Sequence, residues 1–223
     1  HIPIIVGGTG LYIQSVLYDY QFPETAANPQ IRAELEEKAE KEGRDALYET
    51  LKEIDPAAAE KIHPNNVKRV VRALEVYYTS GVRFSEQQLS VDKTENYDAA
   101  VIGLTMEREL LYNRINQRVD IMMESGLEEE VRKFYDQGLM DSQSLQAIGY
   151  KEFNGYFQGK ETIEQVANAI KQNSRRFAKR QFTWFRNKMD VNWFDMSDID
   201  HIDGKIEEIS AYVAGMLHLK ANR

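Results

Sequence analysis

Cysteine is absent from these 223 residues, which excludes disulfides, thiol nucleophiles and zinc or iron–sulfur sites built on cysteine. Histidine is scarce, and His1, His63, His201 and His218 stand far apart with no paired-ligand spacing. A histidine-based metal centre is therefore not expected. No apolar run approaches the roughly 18 residues that read as a transmembrane helix, and no signal-peptide pattern is present. A phosphate loop of the form G-x-x-x-x-G-K-[ST] is also missing from these residues. Positive charge is in deficit, with a net charge of -8. That argues against a protein that coats nucleic acid indiscriminately but permits a local basic groove. A hydrophobic content of 42% and a charged content of 29% fit a globular chain of one large or two small domains.

The positive charge that is present gathers in one stretch, Thr162 to Lys188. Thr162 and Gln165 form a T-x-x-Q capping box, which predicts a helix start. No glycine or proline interrupts the stretch from there to Lys188. Val166, Ile170, Phe177 and Trp184 recur at helical spacing and are expected to form one buried stripe. Lys171, Arg175, Arg176, Lys179, Arg180, Arg186 and Lys188 make seven basic residues with no acidic one up to Met189, leaving about -15 for the rest of the chain. Guanidinium forks suit phosphate oxygens. Phe177, Gln181, Phe182 and Trp184 offer stacking and hydrogen bonds to bases. An ordinary solvated basic face fits the same residues, and the charge pattern alone does not choose between the two.

Along the chain, Ile2 to Val6 reads as a buried strand, then Gly7-Gly8-Thr9-Gly10 leads into a helix from Leu11 to Tyr18. Glycines in such a turn let backbone amides approach an anion. Thr9 is the side chain there that could donate to a substrate. Two further strands are expected, Ala99–Leu104 and Val191–Phe194. Three strands are too few for a free-standing parallel sheet, so more strands are expected upstream. Between Pro23 and Tyr97 no strand is expected. Short helices at 29–42, 45–54, 56–62 and 67–80 are punctuated by Pro23, Pro29, Pro56 and Pro64. In the last of them Asn65 or Asn66 is expected to cap and Gly81 to terminate. Val67, Val70, Val71, Leu74 and Tyr78 would face inward, and Lys68, Arg69 and Arg72 outward.

A long helix is expected from Thr105 through Ser125. Arg118 falls into its apolar stripe of Leu111, Ile115 and Met122. A guanidinium there requires an anionic partner, either a carboxylate such as Asp120 or Glu124, or a bound phosphate. Ser125 and Glu128 suggest a second capping box, with Glu128, Glu129 and Glu130 as a solvated first turn. Ser144 to Phe153 is a short helical or turn segment carrying Gln146, Gly149, Tyr150 and Lys151. Ile202 to Leu219 reads as an amphipathic packing helix.

Five motifs occur in series: Gly7-Gly8-Thr9-Gly10-Leu11-Tyr12; His63-Pro64-Asn65-Asn66 with Arg69, Arg72 and the following ALEV; Arg118-Val119-Asp120 with Gly126-Leu127; Ile148-Gly149-Tyr150-Lys151-Glu152; and Lys179 through Arg186. Together they resemble the tRNA dimethylallyltransferase family of bacterial type, over the chain to about Phe194. The resemblance implies an α/β, P-loop NTPase-like parallel-sheet core, incomplete here, in residues 1–24 and 98–223. It implies an all-helical insertion for the tRNA anticodon stem in residues 25–97. The implied reaction moves a dimethylallyl group from dimethylallyl diphosphate to the exocyclic amine of the adenosine beside the anticodon.

By the same resemblance Arg118 holds the diphosphate, and Thr9 lies at the reaction channel with Gly7, Gly8 and Gly10. Arg32, Lys68, Arg69 and Arg72 contact the stem. Gln146, Gly149, Tyr150 and Lys151, with Arg176, Lys179, Arg180, Gln181, Thr183, Trp184 and Arg186, form the anticodon-loop platform. Magnesium is implied as cofactor, with no protein ligand set legible here. The expected partners are tRNA and the prenyl diphosphate, for a cytoplasmic monomer without membrane contact. The family's phosphate loop and proton-accepting aspartate fall upstream, so these residues alone are expected to be inactive. Rival readings are an adenylate isopentenyltransferase, a P-loop kinase of small metabolites and a non-catalytic RNA-binding fragment. The helical insertion and the basic window favour tRNA over a mononucleotide.

Overall fold

The computed structural model describes residues 2–19, 27–87, 92–95, 97–140, 142–198 and 200–218. Pro23 and Leu219 lie outside them. In chain order the elements are α1 (Gly10–Leu17), β1 (Tyr18–Asp19), α2 (Pro29–Glu42), α3 (Arg44–Ile54), α4 (Pro56–Lys61) and α5 (Val67–Ser80). They continue with α6 (Phe84–Gln87), β2 (Asp92–Glu95), β3 (Ile102–Thr105), α7 (Arg108–Glu124) and α8 (Leu127–Asp136). Then come α9 (Asn154–Phe157), α10 (Ile163–Lys188), β4 (Asn192–Asp195) and α11 (Ile202–Met216). The chain divides into two compact units: His1–Gln14 with Tyr97–Arg223, and Ser15–Asn96.

The Ser15–Asn96 unit is a helical cluster. Asn28 caps α2 by accepting from the amides of Gln30 and Ile31, with Pro29 in the first turn. Leu35, Leu47, Leu51, Val70, Val71 and Leu74 are buried together. Each such side chain is worth about 1.5–3 kcal/mol on burial. Gly81 ends α5 in the left-handed conformation at φ 73°, where a side chain would be strained. Two expectations change here. Tyr78 is 49% exposed rather than buried, because α5 is covered only along its Val70–Leu74 face. A strand also exists where none was expected: β2 pairs antiparallel with β1. Its Asp-Lys-Thr-Glu sequence has no apolar alternation, so only tertiary pairing reveals it.

Two carboxylates lie inside this cluster. Glu75 is fully buried and accepts from both Arg32 and Arg72 at 2.9 Å, and from the amide of Asn28 at 2.8 Å. Asp55 caps α4 by accepting from Ala58 and also accepts from the amide of Ser85. Burial alone pushes both carboxyls up. For Asp55 the bonds from Ser85 and Ala58, and for Glu75 those from Arg32, Arg72 and Asn28, more than reverse it and hold each below the usual carboxylate range.

The other unit has its core under α7, α8 and α10. Val119, Leu127, Val131, Leu145, Phe153, Val166 and Ile170 pack there. Strands β3 and β4 pair in parallel from Ile102–Asn192 to Thr105–Asp195, so α7, α8, α9 and α10 all lie in the crossover between them. Gly103 lies opposite Trp193, and a side chain there would overlap the indole.

Several expectations fail here, most of them for one reason: an apolar run states a preference for burial, and burial needs a neighbour. Ile2 to Val6 forms no strand and pairs with none among the described residues, with Ile4 83% and Val6 90% exposed. Arg118 is exposed, and Val119 is the buried residue of α7. Phe177 is 44% exposed, so the α10 stripe is buried only at Val166 and Ile170. Helix α11 forms but contains no buried residue. At α8 the N-cap is Gly126, left-handed at φ 94°, in place of a Ser125–Glu128 box. Glu128 instead accepts from Tyr156 and Arg132, and Glu130 accepts from Tyr150.

A carboxyl with a depressed folded pKa contributes stability above its unfolded pKa and loses it as pH falls through the folded value. The Ser15–Asn96 unit is therefore expected to hold its stability down to about pH 4 and lose it below. Urea titrations across pH should show this acid limb, flattened in Glu75→Gln. At neutral pH Glu75→Gln should cost about 3 kcal/mol, because two guanidiniums lose their shared anion.

Candidate nucleic-acid interface

Helix α10 organises the candidate site. The side chain of Thr162 accepts from the amide of Gln165 while the Gln165 side chain accepts from the amide of Thr162, so the capping box is present in full. The first half of the helix is fixed by burial and by two ties to α7. Lys171 pairs with Asp120 at 2.5 Å, and Arg175 donates to Asn116 at 2.5 Å. Two of the seven basic residues are thus committed internally, and Asp120 with them. The remaining charge lies further along.

From Arg176 onward the helix opens. Arg176, Lys179, Arg180, Thr183, Trp184, Asn187 and Lys188 line a shallow, open surface groove of about 540 Å³ formed along this one helix. They recur three and four apart, so they form one face of the helix. Arg176, Lys179, Arg180, Arg186 and Lys188 are exposed and have no carboxylate partner among the described residues. Arg180 lies over the Phe177 ring at 5.7 Å, and Arg186 over Phe182 and Trp193, each at 5.5 Å. Planar cations and rings held in this way offer stacking faces as well as charge.

The glycine turn packs directly on this helix. Gln181 donates to the Gly8 carbonyl at 3.1 Å. A Cβ at Gly8 would overlap the Gln181 amide, and one at Gly10 would overlap the Trp184 ring. These two glycines are therefore required by close approach and not by backbone twist. The Thr9 carbonyl accepts the first turn of α1 from Tyr12, and Thr9 is exposed.

A second turn is tied to the same helix. Gly149 sits at φ 99° and donates its amide to buried Glu152 at 2.9 Å. Glu152 also accepts from Asn173 on α10 at 2.7 Å. Gln146 donates to the Met140 carbonyl at 3.0 Å, the Tyr150 hydroxyl is given to Glu130, and Lys151 is exposed.

Of the sequence candidates, this unit brings together Gly7 to Gly10 and the Arg176–Arg186 platform on one helix. Arg118 stands exposed on α7 with no ion pair among the described residues. In the helical unit, Lys68 and Arg69 are exposed on α5. Arg32 and Arg72 instead share Glu75, with side chains 43% and 34% exposed. The residues that sequence reasoning missed are Glu75, Glu152, Asn173 and Asn187. Glu75 and Glu152 lie inside the motifs, but nothing local marks a carboxylate as buried. No group of three histidine, aspartate or glutamate side chains among the described residues could hold a metal ion.

The family model described as IPP transferase matches residues 1–188. The tRNA dimethylallyltransferase of Geobacillus kaustophilus is 54% identical over 221 residues, which is 99% of this chain and 70% of that protein. The one from Bacillus pumilus is 57% identical over 219 residues, 98% and 69% respectively. Among solved structures, the full-length tRNA isopentenylpyrophosphate transferase of Bacillus halodurans has a TM-score of 0.61 at 48% identity, covering 94% of this chain and 65% of that one. A eukaryotic dimethylallyltransferase solved acting on tRNA has a TM-score of 0.73 at 29% identity, covering 96% and 56%.

The two glycine contacts make distinguishable predictions. Gly8→Ala meets the end of a flexible side chain and should cost about 1–2 kcal/mol, largely recovered by adding Gln181→Ala. Gly10→Ala meets a ring that cannot step aside, and should shift Trp184 fluorescence in a Trp193→Phe background. Thermal melts and emission spectra of the four variants check both.

Proposed function

The chain belongs to the IPP transferase family, and from that premise we propose that it forms the greater part of a tRNA dimethylallyltransferase. The fold we assign is a P-loop NTPase-like core, of which β3 and β4 are the parallel strands present, with residues 25–97 as the insertion for the anticodon stem. The family's phosphate loop and proton-accepting aspartate are assigned to sequence outside these residues. The chain spans about 70% of the length of the Geobacillus kaustophilus relative. We place the protein in the cytoplasm as a monomer. No helix among the described residues is long and apolar enough to cross a membrane.

One observation carries the reading: the glycine turn and the basic, aromatic half of α10 are in direct contact. A single-stranded loop lying along the groove would bring its bases to the Gly7–Gly10 turn. Exposed cations would hold its phosphates, and Trp184 and Phe177 would stack on bases. The target adenine must leave its stack to expose its amine. Its amine nitrogen then attacks the first carbon of the dimethylallyl group. The new C–N bond forms as the C–O bond to diphosphate breaks, and diphosphate leaves with that electron pair. The amine releases a proton to a base outside this chain.

Arg118 is the residue we assign to the departing diphosphate, where a fixed guanidinium stabilises growing negative charge. An exposed arginine with no competing carboxylate supports that role. Thr9 is assigned to the channel beside the target nucleotide. Lys68 and Arg69 are assigned to the stem backbone. Arg32 and Arg72 add the exposed part of a charge that Glu75 already fixes in place. Magnesium would accompany the diphosphate, and the described residues supply no ligand cluster for it.

In the full-length enzyme, transfer of a dimethylallyl group to an anticodon stem-loop tests the whole reading; modification of free adenylate alone would overturn it. Arg118→Ala should lower kcat/KM for dimethylallyl diphosphate by about a hundredfold, leaving stem-loop affinity nearly unchanged. Lys179→Ala with Arg180→Ala should do the reverse and reduce the salt slope of RNA binding by about two. Steady-state kinetics and binding across ionic strength separate these outcomes.

A further inference from the structure

Glu152 takes no part in the prenyl transfer, yet it is only 9% exposed, and its two oxygens go to different elements. One accepts from the amide of Gly149 at 2.9 Å and the other from Asn173 of α10 at 2.7 Å. A carboxylate needed only to close its own turn would not require the second bond. Asn173 lies one helical turn before Arg176, where the groove begins. Because α10 is a continuous helix, the position of the turn relative to the groove is set within about 5 Å of chain. Two further bonds hold the same turn: Gln146 to the Met140 carbonyl, and the Tyr150 hydroxyl to Glu130.

We propose that Glu152 is a positioning residue that joins the 146–151 turn to α10, so that Lys151 and the Arg176–Lys188 groove present one continuous surface to a single-stranded RNA loop. The proposal rests on the reading of that turn as an RNA contact. It goes further by naming the internal bond that sets the spacing. Glu152 itself is too buried to meet RNA, and its carboxylate would repel phosphate if it did. Its effect passes through the turn. Asn173 is the cleaner handle, because removing its amide breaks the bridge and leaves the Gly149 bond intact.

The test uses full-length enzyme and an anticodon stem-loop. Asn173→Ala and Glu152→Ala should each raise KM for the stem-loop about tenfold, near 1.4 kcal/mol, with kcat and KM for dimethylallyl diphosphate within about twofold. The salt slope of stem-loop binding should drop by about one, as it does for Lys151→Ala. Adding Lys151→Ala to Asn173→Ala should lower the slope no further. If Lys151→Ala lowers the slope while Asn173→Ala leaves both KM and slope unchanged, the positioning role is overturned and the RNA reading stands. Should Lys151→Ala itself have no effect, the RNA reading of the turn is overturned and the proposal falls with it. Asn173→Ala keeps the test decisive even if Glu152→Ala does not fold.

Discussion

Helix α10 is held by one half and open along the other, and the rest of its unit is arranged around that difference. Val166 and Ile170 are buried, and Lys171 and Arg175 are tied to Asp120 and Asn116 of α7. Beyond that point the helix buries nothing fully, and its cations are left without carboxylates among the described residues. Burial and ion pairing fix the first half rigidly enough for the second to project without collapsing. A helix carrying seven basic residues on an acidic chain could have paired them all with nearby carboxylates. Here two are paired or hydrogen-bonded internally, and those two sit where packing needs them.

The same economy of partners governs the acidic side chains. Glu75, Asp55 and Glu152 are all buried, and each has more than one donor. A buried carboxylate with one bond missing costs more than it returns, so these sites specify geometry more than they add stability. Glu75 of α5 ties α2 through Arg32 and the Asn28 amide, and holds Arg72 on its own helix. Glu152 fixes a turn to α10. In each case a cation or turn expected to meet RNA is first oriented by an internal anion. An arginine that already has a rigid partner loses less entropy when a phosphate approaches its exposed edge.

Much of the secondary structure was legible along the chain. The capping box at Thr162, Pro29 at a helix start, and Gly81 after Ser80 are local signals with local causes, and the structure contains all of them. Expectations fail where the outcome depends on a neighbour. Ile2 to Val6 has the composition of a buried strand but no partner among the described residues. Tyr78, Phe177 and Arg118 share a helical period with core residues, and a period of 3.6 tolerates a residue at the margin of a stripe. The β1–β2 ribbon leaves no local signal, because strand pairing can hold a polar segment that no alternation marks.

The sequence alone determined where most of the longer helices run, where positive charge concentrates, and which motifs occur in which order, because each is a matter of local chemistry or spacing. Those motifs sufficed to point to the family. Which lysine or arginine remains free is a different kind of fact. It depends on which carboxylate or side-chain amide lies within about 4 Å, and residues 51 or 59 positions apart supply those partners. The contact between Gly8 and Gln181 spans 173 positions. Only the tertiary structure could place them together, because spatial proximity across such separations is set by the packing of the whole unit.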